Sequence, residues 1–157
     1  MAHDAHAQHV KQHYIRLLLM TVASFLVMYA LMYAMVDRWA NVLGNINQVY
    51  MAGVMAMPMA LIELALMAQM YRNRHLNVVI IAIAVVAWVI CWFGIRQQWG
   101  VSDRQFLRSM IPHHAAAVLM CERNALRDPK VQDLCKRILD SQRAEIEEMQ
   151  MALSAGQ

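Results

Sequence analysis

No glycine-rich phosphate loop, zinc-hydrolase spacing or triad of nucleophile, base and orienting group occurs in these 157 residues. Nucleotide-dependent and hydrolytic chemistry therefore have no support. Internal repeats and low-complexity tracts are missing too. Charge is absent from two long stretches, "LLLMTVASFLVMYALMYAMV" (17–36) and "LNVVIIAIAVVAWVICWFGI" (76–95), and a third, "VYMAGVMAMPMALIELALMAQMY" (49–71), carries only Glu63. The C-terminal part also lacks any surplus of one sign, since residues 102–157 hold eight basic and eight acidic side chains. The net charge of +3 comes from the apolar part of the chain, where it needs no nucleic acid to explain it.

What is present is apolar surface. Sixty per cent of the residues are hydrophobic, more than a soluble domain of this size needs. Each of the three apolar stretches is long enough to span a bilayer as a helix, which predicts spans at about 14–36, 49–71 and 76–97 within a membrane domain of residues 14–99. Tyr14, Trp39, Tyr50, Tyr71 and Trp99 fall near the span ends, where amphipathic rings favour the lipid–water boundary. No small-residue cleavage site follows the first run, so it is expected to stay as an anchor. Lys11, Arg16, Arg72 and Arg74 would share one side and Arg38 and Arg96 the other. That asymmetry predicts an inner (plasma) membrane protein with a cytoplasmic N-terminus and a C-terminal segment in the periplasm or outside the cell.

After Trp99-Gly100 the pattern becomes amphipathic, with Ser102 or Asp103 placed to cap a new helix. Apolar residues then recur at three-and-four spacing, "LRDPK" (126–130) supplies a turn, and the pattern resumes. The expected fold is all-α: three transmembrane helices, then an amphipathic helical hairpin over 102–154. Two helices of this size bury little core, so the spans, a bound ion or a second copy forming a four-helix bundle must complete them. A homo-oligomer is the expected assembly.

Folding the hairpin back about residue 128 sets Cys121 opposite Cys135, His114 opposite Gln142, His113 opposite Arg143, Met110 opposite Ile146 and beside Glu145, and Leu107 opposite Met149. One end of the seam would thus collect Met110, His113, His114, Glu145 and Met149, with Gln142 placed to fix an imidazole. Thioether sulfur selects cuprous copper over hard cations, and imidazole accepts copper, zinc or iron, so copper is the expected ligand, cuprous first. Pro112 removes a backbone donor beside the histidines and leaves a carbonyl one turn back without its usual partner. Methionine at this spacing also serves as plain core filling.

Other residues carry open alternatives. His3, His6, His9 and His13 form a His-rich N-terminal tail (1–13) that either clamps a metal along a helix or is a loosely chelating end. Glu63, near mid-span, must be protonated, paired or solvated, by an ion or by hydrogen bonds between helices. Cys121 and Cys135 could form a disulfide, offer two thiolates to soft metal or stay as buried thiols. The methionines of the first two spans, Met28, Met32 and Met35 and then Met51, Met55, Met59 and Met70, mark either a soft-metal path or helix packing and lipid contact.

Residues 103–150 resemble the domain-of-unknown-function family 305 through Phe106, Leu107, Met110, Ile111, Pro112, His113 and His114, then Gln142, Glu145, Ile146 and Met149. "MYALMYAM" (28–35), "YMAGVMAMPM" (50–59) and "IRQQWGVSDRQFL" (95–107) extend the likeness to a three-span branch. The resemblance implies a ferritin-like bundle, with copper binding and copper tolerance attributed to some members. The expected function is copper sequestration, sensing or delivery, exchanging the ion with a donor or acceptor protein. The rivals are a metal-dependent redox enzyme such as a cuprous oxidase, and a structural membrane scaffold.

Overall fold

A computed structural model describes residues 2–155, with side chains from Lys11 onward. Among these residues the chain is all-α. Its helices are α1 (Ala2–Leu31), α2 (Ile46–Leu66), α3 (Arg74–Gln97), α4 (Asp103–Arg123) and α5 (Pro129–Ala155), with two 3₁₀ turns, Met32–Met35 and Trp39–Asn41, between α1 and α2. Two compact units result, one of Met1–Ala30 with Val49–Trp99, the other of Leu31–Gln48 with Gly100–Gln157.

Three stretches, Lys11–Met35, Ile46–Leu66 and Arg74–Gln97, are long and apolar enough to cross a membrane. Small residues let the backbones approach: α2 buries Ala52, Gly53, Ala56 and Ala60. A methyl added to Gly53 would stand 2.5 Å from the Cys91 sulfur, and one added to Gly94 would stand 2.9 Å from the Tyr50 ring. That is the packing used where apolar burial alone cannot drive helices together. Met51, Met55 and Met59 lie on the exposed side of α2. The second apolar helix ends at Leu66, short of the expected residue 71. Tyr71 instead folds back into a buried cluster with Leu17, Ala60 and Leu64, donating its hydroxyl to Glu63 at 2.9 Å.

The second unit is the hairpin together with the segment that joins α1 to α2. Ser102 caps α4 by accepting from the Gln105 amide, and Asp128 accepts from the Lys130 amide at the start of α5. Ile111, Ala115, Val118 and Ile146 form the core, and Val36 and Leu43 of the joining segment pack onto it. The joining segment therefore supplies the third wall that two amphipathic helices lack.

Pro112 explains why this segment docks where it does. It lies inside α4, and having no N–H it cannot satisfy the carbonyl four residues back, which belongs to Arg108. Asn45 fills the gap: its amide nitrogen donates to the Arg108 carbonyl at 3.4 Å. The same side chain accepts from the Gln48 amide at 3.0 Å, capping α2. Gln105 accepts from the Ile46 amide at 3.1 Å, Asn47 donates to Ser109 at 3.3 Å, and on the other helix Gln150 donates to Asn41 at 2.8 Å. Asn41 and Asn45 are only 4% and 5% exposed, so losing these bonds strands buried polar groups. Asn45→Ala is expected to cost about 1–3 kcal/mol in denaturant unfolding of the hairpin unit. In a Pro112→Ala background, which restores the missing amide, the same change should cost distinctly less. An equal cost in both backgrounds would disprove the coupling.

Candidate metal centre

The hairpin seam brings one imidazole and one carboxylate together. His114 Nδ1 lies 3.1 Å from Glu145 Oε2, with the imidazole 13% and the carboxylate 45% exposed. Yet Nδ1 is buried and has no hydrogen-bond partner, because the oxygen is out of line with the ring N–H direction. The contact is an ion pair only when the imidazole is protonated, and the directional requirement decides that it is not a hydrogen bond. The other Glu145 oxygen accepts from Ser141 at 2.7 Å, which steadies the carboxylate.

The remaining expected ligands are spread about this pair. Met110 is half-buried one turn before His114 on α4, and Met149 is half-buried one turn after Glu145 on α5, packed against the core. His113 is exposed, its ring 6.0 Å from that of His114. Gln142 was expected opposite His114, but the carboxylate of Glu145 reaches the imidazole instead. Arg143 pairs with Glu122 instead of standing over His113. Both corrections have one cause. Side chains on a helix lean toward its N-terminus, so in an antiparallel hairpin a residue of α4 meets one farther along α5 than its backbone level suggests. Short side chains are exempt, and Cys121 and Cys135 stand opposite each other as the register expects.

Among the described residues no three of His, Cys, Asp and Glu gather into a metal-binding group. The spacing of the pair suits a shared ion: two donor atoms bound to one ion at about 2.0–2.2 Å stand roughly 3 Å apart, the separation of Nδ1 and Oε2. Misalignment of the pair is also what two donors aimed at a common third point require. When bound, a soft cation would take the imidazole, the carboxylate and the sulfurs of Met110 and Met149 as ligands and gain charge neutralisation from Glu145.

The other candidate ligands fall elsewhere. Cys121 and Cys135 are joined in a disulfide with Cα atoms 5.5 Å apart, so they present no thiolates. The free cysteine among the described residues is Cys91. Glu63 sits in the apolar-helix unit, engaged by Tyr71. His13 belongs to the same unit, with Nδ1 buried and without a hydrogen-bond partner, while the His3, His6 and His9 side chains lie outside the described residues. Sequence reasoning missed Asn41 and Asn45. The signal was there, because a proline inside a predicted helix announces a carbonyl that some polar side chain must claim.

Burial pushes the His114 imidazole below its ordinary value of 6.5; Glu145 pulls it back up and His113 adds to the fall. Unfolding then takes up a proton as pH drops through that ordinary value, so the metal-free hairpin loses stability on the acid side. Melting of chelated protein should show a lower midpoint at pH 5.5 than at 7.5, and His114→Gln should remove part of that difference; an unchanged pH dependence would contradict the burial argument. The disulfide closes a loop whose ends are 14 residues apart. The Cys121→Ala, Cys135→Ala variant should lose about 2–4 kcal/mol of hairpin stability in denaturant unfolding. Thiol labelling of the unreduced, unfolded wild-type chain should modify Cys91 alone.

The family model described as a domain of unknown function, DUF305, matches residues 55–153. The chain is also 33% identical over 147 residues to an uncharacterized protein of Acanthamoeba polyphaga mimivirus, an alignment that covers 87% of this chain and 90% of the relative. No solved structure matches. The family model takes in the whole seam from Met110 to Met149 and more than half of the chain, and the chain belongs to the domain-of-unknown-function family 305.

Proposed function

We propose that this is an integral membrane copper-handling protein whose three apolar helices anchor it and whose hairpin holds a cuprous ion between α4 and α5. The observation that carries the reading is the buried His114 Nδ1, held 3.1 Å from Glu145 Oε2 without a hydrogen bond. His114, Met110 and Met149 give a soft donor set, and Glu145 balances the charge. Exposed His113 stands beside the seam, where it can pass an ion to or from a donor or acceptor protein. Sequestration, sensing or delivery are the roles that such a site serves.

Two features support an inner-membrane chain with its hairpin on the outer face. The disulfide suits an oxidising compartment, and the basic residues Lys11, Arg16, Arg72 and Arg74 suit a cytoplasmic N-terminus. Because Val36 and Leu43 complete the hairpin core within one chain, pairing of two hairpins into a four-helix bundle would add to the site rather than create it.

Copper content and cuprous affinity of tag-free protein in detergent, read by competition with a chromogenic chelator, test the proposal. His114→Ala, and Met110→Leu with Met149→Leu, should each weaken binding at least about tenfold, whereas His113→Ala should weaken it less. Equal affinity in wild type and His114→Ala, or no copper in either, would overturn the hairpin site. Steady oxygen consumption with cuprous ion would replace storage with oxidase chemistry.

A further inference from the structure

The hairpin unit also has a cavity that none of the candidate copper ligands lines. It measures about 470 Å³ and is walled by Ala40 and Leu43 of the joining segment, Arg104 and Arg108 of α4, and Gln150 and Ser154 of α5. The two arginines are one turn apart and so share a face of α4. No carboxylate pairs with either among the described residues. The other polar walls are already engaged: Gln150 donates to Asn41 at 2.8 Å, and the Ser154 hydroxyl donates to the Met151 carbonyl at 2.8 Å. Two like charges one turn apart are mutually unfavourable. Left free in a cavity with an apolar side, they are a fork-shaped receptor for an anion.

The surroundings indicate which anion. Ala40 follows Trp39, which is 91% exposed, and Arg104 follows Trp99, at the end of the third apolar helix, by five residues. Exposed tryptophans beside apolar helices mark headgroup level. Chain connectivity thus puts both the apolar and the basic wall where a lipid phosphate lies. We infer that this cavity binds the phosphodiester of an anionic phospholipid, with Arg104 and Arg108 gripping the phosphate oxygens and Ala40 and Leu43 meeting the glycerol-ester region. Paired guanidinium groups hold phosphate oxygens in this way. The inference rests on the membrane reading above and is independent of copper.

Native mass spectrometry of the detergent-extracted full chain tests it, with phosphatidylglycerol, phosphatidylcholine and inorganic phosphate as probes. Wild type should retain phosphatidylglycerol over phosphatidylcholine. Arg104→Gln with Arg108→Gln should bind it about tenfold more weakly or worse, with helix content and copper affinity unchanged. Arg104→Lys with Arg108→Lys, which keeps the charge but loses the fork, should fall between and stands in if the glutamine variant misfolds. Equal retention by wild type and both variants, or no preference between the two lipids, would overturn the site. Displacement of the lipid by millimolar phosphate would reassign the arginines to a soluble anion and overturn the lipid assignment. A chain recovered soluble without detergent would overturn the membrane reading itself, whereas lipid kept by an extracted variant overturns only the arginine site.

Discussion

The hairpin unit is organised around a hydrogen bond that Pro112 makes impossible. An amide at that position would have closed α4 on itself and taken from the joining segment one of the directional bonds by which it docks. Because the Arg108 carbonyl is left over, Asn45 is drawn to it, and Asn45 also caps α2. One buried amide thereby ties the start of the second apolar helix to the histidine-bearing helix. The apolar contacts of Val36 and Leu43 add most of the free energy, but they do not choose a register; hydrogen bonds to buried groups do.

The candidate site inherits its geometry from these restraints. The hairpin is closed at its turn by the Cys121–Cys135 bond and held at its open end by Asn45 on α4 and by Asn41 against Gln150 on α5. His114 and Glu145 lie between. Their side chains are set by rigid elements and by Ser141 rather than by each other, which is why a short contact without hydrogen-bond alignment persists. Under the copper reading this is preorganisation, with the donors placed before the ion arrives.

Most of the fold was legible because each helix announces itself in one dimension. Uncharged stretches give the apolar helices, three-and-four spacing gives the amphipathic pair, and Ser102 and Pro129 mark the helix starts. The pairing of Cys121 with Cys135 was legible as a register, though not as a bond. Side-chain lean was not carried through, so Gln142 was set against His114 where Glu145 belongs. The docking of residues 31–48 was invisible to periodicity, since an irregular segment has none. Only an accounting of backbone donors and acceptors around Pro112 could have revealed it.

The restraints at the two ends of the seam also govern motion. A hairpin with a covalent pivot at its turn and a polar clamp at its mouth cannot part its helices like tongs. What remains is rotation of side chains along the flank, where Glu145 is 45% exposed and His113 faces solvent. Under the copper reading, an ion would reach His114 from that flank, past side chains that exchange rotamers faster than a backbone opens.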